Sequence, residues 1–303
     1  MKVKGYFWGC LSSATYGLIP LFALPVLRKS VGFDSLLFYR FTGAAILLAL
    51  VMFVRKSSFR ITRKEFKPLA VLGGLFGLSA QFLFWSYSYL EVGLASTILF
   101  IYPVFVAIMM AVFFKERLSK ISLTAIVIAL WGVGMLYKGD SGITMNPVGL
   151  GLILMSALCY ALFIVIVNKS VVKNMPGEKL IFYALSISAI LFYIKSLFGG
   201  GIQPLPDMAS VIDVIMLVTF ATVVSCLAMV HAVRYIGSTS TAVLGALEPV
   251  TAVAVGVLAF NEAFTFNLAI GIGLILIAVS LIVSSDTINK LLKMRVKHHT
   301  ERK

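Results

Sequence analysis

Charged side chains are scarce in this chain: Asp, Glu, Lys and Arg make up 13% of its 303 residues, against about a quarter of an ordinary soluble domain. Acids are scarcer still, 12 Asp and Glu against 26 Lys and Arg. With 60% of the residues hydrophobic and a mean hydropathy of +1.01, the polar surface is too small to cover a water-soluble globule, and hydrocarbon must be the solvent for much of the chain. The three cysteines, Cys10, Cys159 and Cys226, all sit within apolar runs, and no pair has metal-ligand spacing. They read as packing residues, and no metal or cofactor is expected. Two of the three histidines, His298 and His299, lie in the basic C-terminal tail, so His231 is isolated and reads as a hydrogen-bonded packing residue.

What is abundant is apolar sequence in lengths that cross a bilayer. Breaking the chain at its charged and Gly/Pro-rich stretches leaves ten segments: 5–27, 35–54, 69–90, 94–114, 121–138, 148–168, 180–198, 211–233, 238–260 and 265–284. About 20 residues span the hydrocarbon core as an α-helix, which satisfies its own backbone hydrogen bonds, and continuous apolar runs are not the alternating pattern of a membrane barrel. The expected fold is an all-α membrane protein of ten transmembrane helices, with no room for a soluble domain. Segment 1 follows Lys2 and Lys4 like a signal peptide, but it is too long for an h-region and reaches Arg28 without a small-x-small cleavage site. It reads as a retained helix.

The basic excess has a pattern. If the N-terminus is cytoplasmic, the cytoplasmic loops hold Lys2 and Lys4, six Lys/Arg in 55–68, then Lys115, Arg117 and Lys120, then Lys169, Lys173 and Lys179, Arg234, and six in the tail. The opposite loops hold only Arg28, Lys29 and Lys138. By the positive-inside rule both termini are cytoplasmic and the cytoplasmic membrane is the location. A nucleic-acid surface has no reason to alternate loop by loop, so the expected contacts are membrane lipids and a small molecule, with the chain a monomer or homodimer. The tail 285–303 is expected to be solvated, although Ile288, Leu291 and Leu292 among its cations would also suit an interfacial helix.

The chain also repeats. At an offset of 144, Gly5, Ser12, Tyr16, Phe38 and Tyr39 meet Gly149, Ser156, Tyr160, Phe182 and Tyr183; at 146, Tyr89, Pro103, Val104, Phe114 and Glu116 meet Tyr235, Pro249, Val250, Phe260 and Glu262. The two units are 1–138 and 139–284. Five helices per unit is odd, so the second unit must cross the bilayer upside down, and inverted repeats of this kind let a midplane site open to either side in turn.

Tyr102-Pro103-Val104 followed by Lys115-Glu116-Arg117, with its counterpart Glu248-Pro249-Val250 followed by Asn261-Glu262, resembles the paired signatures of EamA-like members of the drug/metabolite transporter superfamily. Arg40-Phe41 at the start of segment 2 is also similar to that family. The resemblance runs over residues 5 to 284 and implies ten helices with cytoplasmic termini. It further implies a central cavity built from segments 1–4 and 6–9, with segments 5 and 10 peripheral. The first unit departs from the pattern in carrying Tyr102 where the second has Glu248, which argues against a symmetric pair of coupling carboxylates.

Glu248 lies about ten residues, roughly 15 Å, from the inner end of its segment. A carboxylate at that depth must face a wet cavity, find a cation or stay protonated, which makes it a candidate both for substrate binding and for proton coupling. It can equally be a structural acid that stabilises the helix break. Pro103 and Pro249 each lack an N–H and clash with the carbonyl one turn earlier, so both helices should kink there as candidate hinges, freeing the Leu99 and Gly245 carbonyls. Pro20 and Pro25 should bend segment 1. Arg40 is placed to meet an anionic group or Glu248, or to snorkel outward, and Lys195 to snorkel. Gln81, Trp85, Ser88 and Tyr89 share a helix face that suits a cavity wall. Thr222 shares a face with Thr219 and Cys226. With the repeat-matched Tyr16 and Tyr160, the candidate binding set is Tyr16, Arg40, Gln81, Trp85, Tyr89, Tyr102, Tyr160, Thr222 and Glu248. Glu116 and Glu262 each close a helix and are placed to cap the N-terminus of the next.

The sequence favours a secondary transporter of a small organic metabolite, an amino-acid-like or amphipathic compound, working by alternating access, with export as the direction implied by the family resemblance. No P-loop pattern stands between segments, which disfavours ATP-driven movement by this chain. The alternative is an intramembrane enzyme acting on a lipid or polyprenyl substrate. That chemistry would normally show clustered Asp or His at the membrane surface, where this chain has a single buried carboxylate.

Overall fold

The computed structural model describes residues 2–115, 120–137 and 146–281. Among the described residues all regular structure is helical: α1 (Lys2–Tyr16), α2 (Ile19–Arg28), α3 (Phe33–Val54), α4 (Arg63–Ser86), α5 (Val92–Leu99), α6 (Tyr102–Phe114), α7 (Lys120–Tyr137), α8 (Pro147–Lys169), α9 (Gly177–Phe198), α10 (Met208–Val218), α11 (Ser225–Leu244), α12 (Leu247–Phe260) and α13 (Phe266–Leu281). Among the described residues seven stretches are long and apolar enough to cross a membrane: Val3–Arg28, Phe33–Val54, Arg63–Ser86, Val92–Phe114, Pro147–Lys169, Gly177–Phe198 and Met208–Ile236. Lys120–Leu136, Leu247–Phe260 and Phe266–Leu281 are shorter apolar helices. Large apolar side chains such as Phe53, Phe113, Trp131 and Leu258 are exposed along these helices, as hydrocarbon-facing positions should be. Glu116 and the tail 285–303 lie outside the described residues, as does nearly all of the 139–147 connection.

Proline breaks the helices at Pro20, Pro103 and Pro249, three of the four positions where the sequence expects kinks, whereas α2 runs on through Pro25. Pro20 and Pro103 occupy the second positions of α2 and α6, and Pro249 the third of α12. Each missing N–H falls in a first turn, where it has no intrahelical partner to lose. Two-residue turns therefore separate α1 from α2, α5 from α6 and α11 from α12. The Gly245 carbonyl, expected to be free, accepts the Glu248 N–H at 2.9 Å. Between α10 and α11 the residues Thr219–Val224 form a π-helical turn, in which the Thr222 hydroxyl donates to the Leu217 carbonyl at 2.9 Å.

Helix pairs are held by small residues and serine hydroxyls. Ser12 and Ser225 donate to each other's backbone carbonyls at 2.9 and 3.0 Å, joining α1 to α11. Ser79 and Ser156 make the same exchange at 3.0 and 2.7 Å, joining α4 to α8. Gly5 packs on Ile236, and Gly149 on Leu90 and Tyr89, so closely that a Cβ at either would lie 2.5 to 2.8 Å from those side chains. Such close backbone approach is how membrane helices gain contact without a hydrophobic driving force. Ser12 thus lies at Ser225 and Gly5 at Ile236, whereas Gly9 meets Leu244 and Gly17 meets Glu248. The contact direction along α1 reverses, so the chain doubles back between Ile236 and Leu244 within the helical stretch α11.

α3 and α9 run antiparallel with an ion pair at each end: Lys195 to Asp34 at 2.8 Å, and Arg55 to Glu178 at 3.0 Å. At one end the Tyr39 hydroxyl donates to the Gln203 carbonyl at 2.8 Å, and at the other the Tyr183 hydroxyl donates to the Phe59 carbonyl. The segment after α9 turns through Gly200 and Gly201, whose φ values of 95° and 89° suit glycine. Gln203 then straps onto α3, its side-chain carbonyl accepting from Gly32 N–H at 2.5 Å and its own N–H donating to Ser35 at 3.0 Å. The loop that composition marks as turn-like is tied down at this point.

Glu262 departs from expectation. Its carboxylate accepts the N–H groups of Val92 at 2.6 Å and Gly93 at 3.0 Å, so it caps α5 rather than the next helix in the chain. The left-handed Asn261 (φ 56°) turns the chain so that Glu262 reaches across.

Candidate functional site

The site is assembled from the breaks. Because α12 begins at Leu247, Glu248 falls in its first turn, where the positive end of the helix dipole favours a carboxylate. Tyr102 opens α6 in the same way, and Tyr16 closes α1. These three side chains line a cavity of about 250 Å³ together with Phe76, Tyr160, Phe163 and the Ser12–Ser225 contact. The aromatic wall is continuous: Tyr102 meets Tyr160 edge-on at 4.8 Å, Phe163 stacks parallel to Tyr160 at 6.0 Å, and Phe76 lies 5.5 Å from Phe163. From Tyr16 and Glu248 the lining runs past Ile164, Ile181 and Met229 to Val233, near the end where α8 stops and α9 starts. Met229 and Val233 are exposed there, by 39% and 41%.

Behind Tyr16, Tyr102 and Tyr160 lies a smaller pocket of about 20 Å³, which Glu248 also lines and which Arg40 closes. Arg40 does not snorkel. It is 1% exposed, its Nε donates to the Thr222 hydroxyl at 3.1 Å, and its guanidinium lies 5.6 and 5.9 Å from the Phe41 and Phe84 rings. No carboxylate among the described residues lies within 4 Å of it, so Arg40 and Glu248 share a pocket without forming an ion pair. The π-helical turn points Thr222 at Arg40, and Thr222 itself is buried outside the cavity lining.

α4 turns Phe76, Ser79, Ala80 and Leu83 toward the cavity and smaller pocket. Gln81, Trp85 and Tyr89 therefore sit elsewhere. Gln81 donates to Asp34 at 2.9 Å and accepts from Lys195 at 2.7 Å, and the Lys195 ammonium lies 5.0 Å from the Trp85 ring centre. Lys195 is thus a cross-linking cation, and Tyr89 is half-exposed beside Gly149. His231 is a packing residue with its Nδ1 2.8 Å from the Leu227 carbonyl and its ring against Trp8. Sequence alone singles out Ser12 and Ser156, matched at the 144-residue offset, but not Phe76, Phe163, Ser79 or Ser225; the 146-residue offset, which pairs Ser79 with Ser225, is the signal that reaches the other two serines. Among the described residues no group of three His, Cys, Asp or Glu side chains could hold a metal ion.

A bundle of apolar helices around a broken-helix cavity defines a multi-pass integral membrane protein. Comparison with known proteins identifies its kind: the family model of the EamA-like transporter family matches twice, over residues 3–138 and 147–284, and the chain belongs to that family. A protein of Archaeoglobus fulgidus named an uncharacterized transporter is 25% identical over 252 residues, covering 80% of this chain and 86% of its own. A crystal structure at 18% identity covers 98% of this chain and 99% of its own with a TM-score of 0.68, and so shares the fold. This is a membrane transporter of a family that implies a small-molecule substrate and a lipid environment.

Proposed function

We propose that this protein is a secondary transporter that moves a small organic metabolite, amino-acid-like or amphipathic, across the cytoplasmic membrane by alternating access, in the export direction. The carrying observation is the aromatic cavity with one carboxylate, placed where broken helices meet inside an apolar bundle. Such breaks supply polar groups at membrane depth only where they line a cavity.

The proposed arrangement is ten spans in two inverted units, 1–138 and 139–284, with both termini and the 285–303 tail cytoplasmic. The double family match supports it, as do the two reciprocal serine exchanges and the two end-on ion pairs of α3 with α9, in which Asp34 and Glu178 stand 144 residues apart. With the basic end cytoplasmic, the mouth at Met229 and Val233 faces inward, and the Gln203 strap with the Lys29–Asp207 ion pair (2.8 Å) closes the outward side. Exchange of conformation between the units, with Pro103 and Pro249 as hinges, would open the other side. In this reading Tyr16, Tyr102, Tyr160 and Glu248 contact substrate, and Glu248 exchanges a proton. Arg40 and Thr222 act from behind them, while Gln81, Trp85 and Tyr89 border the outer approach. The chemistry is asymmetric: at the two offsets Arg40, Thr222 and Glu248 are matched by Ala184, Phe76 and Tyr102.

Proteoliposomes loaded with a metabolite mixture test the reading. Selective loss of one component is expected. Chemical conversion with no flux would favour an intramembrane enzyme instead.

A further inference from the structure

We propose that the cavity selects a monocationic amine carrying an aromatic or alkyl body over the corresponding zwitterionic amino acid. The proposal rests on the cavity being the substrate site and narrows what that site accepts. Among the described residues Glu248 is the only carboxyl group in the lining, and no Lys, Arg or His lines the larger cavity. A guest there meets one carboxylate, which no described residue engages in a side-chain hydrogen bond, and the faces and edges of Tyr16, Tyr102, Tyr160, Phe76 and Phe163. Carboxylate and aromatic rings both attract an ammonium, the rings through their negative faces, and the attraction grows when water is excluded. The same walls bury an apolar body.

A zwitterion needs a second, positive partner for its carboxylate. The cation within the site region is Arg40, and it stands behind the three tyrosines in a space of about 20 Å³, which is room for roughly one water. Its Nε is already committed to Thr222. An α-carboxylate in the larger cavity would therefore be desolvated beside Glu248 without a countercharge, which is costly in a membrane interior.

The test uses the purified full-length protein in detergent and three probes with one phenyl body: 2-phenylethylamine, phenylalanine and 3-phenylpropanoate, titrated by calorimetry near pH 7. The amine should bind at least about tenfold more tightly than either acid. Glu248→Gln should erase that preference, and Glu248→Asp should retain part of it, with a cooperative melt establishing that each variant is folded. Equal or tighter binding of phenylalanine or phenylpropanoate overturns the proposal, as does full amine affinity in folded Glu248→Gln or no binding of any probe. Selective flux of an amino acid through proteoliposomes would overturn the amine preference and leave transport standing. Amine binding with no flux of any solute would overturn transport and leave the cavity's preference standing.

Discussion

Ser12 and Ser225 each donate a hydroxyl hydrogen bond to the other's backbone carbonyl, 213 residues apart in sequence. The exchange brings two helix backbones into direct contact inside the bundle, and Ser79 and Ser156 repeat it. Interhelical hydrogen bonds in membranes are worth about 0.6 kcal/mol on average, because the chain unfolded in the membrane also finds partners. Because each hydroxyl bonds a backbone carbonyl that alanine keeps, single Ser→Ala variants at the four positions should each lower stability by about 0.6 kcal/mol in reversible denaturation. Unchanged stability in all four would remove the serines as helix fasteners.

Glu262 holds the first two N–H groups of α5 from across the bundle. Glu262→Ala should lower stability by about 1–2 kcal/mol, and Glu262→Gln, which keeps an acceptor, by less. Thermal melts in detergent measure both; a Glu262→Gln melt identical to that of the wild type would deny the charge a part, and unchanged stability in Glu262→Ala would deny the cap.

The orientation is open to a direct check. Cysteines introduced in 55–68 should react with impermeant reagents only from the cytoplasmic side, and those in 139–147 only from the opposite side. The reverse pattern would invert the proposed topology.

The Asp207 carboxyl, bonded first to the Lys29 ammonium and then to the Ser210 N–H and hydroxyl, is held down to about 2 from an ordinary 3.8. A depressed acid stabilises the fold fully above its ordinary value, and that contribution disappears as pH falls through its folded value. The advantage of the wild type over Asp207→Asn should therefore be constant above about pH 5 and shrink between about pH 4 and 2. Melting temperatures against pH report it, and an advantage unchanged down to pH 2 would count against this account.

If Glu248 carries the proton, Glu248→Gln should abolish flux driven by a pH gradient while solute exchange persists. Unchanged gradient-driven uptake by Glu248→Gln would reject that role.

Much of the fold could be read in advance because hydrocarbon imposes simple rules. Run length marks helices, and a proline without an N–H marks a break, as at Pro103 and Pro249. The candidate site was less legible. Gln81 and Trp85 do share a face of α4, but Ser88 and Tyr89 lie in the turn past its end at Ser86, and periodicity fixes only which residues share a face and not where the face points. Packing of α4 on α8 through Ser79 and Ser156 turns Phe76 inward and leaves Gln81 with Asp34 and Lys195. Likewise the capping carboxylate of Glu262 was visible, but its partner lay 170 residues away.

The scarcity of charge by itself determined that this chain lives in hydrocarbon, and made Glu248 and Arg40 conspicuous. Only the tertiary structure decided that the two share a pocket without pairing. Arg40 is held to Thr222 by a π-helical turn, and Glu248 is drawn into the first turn of α12 by the break ahead of Pro249. Composition and spacing act along one helix at a time, whereas the distance between two buried charges is set by how several helices cross.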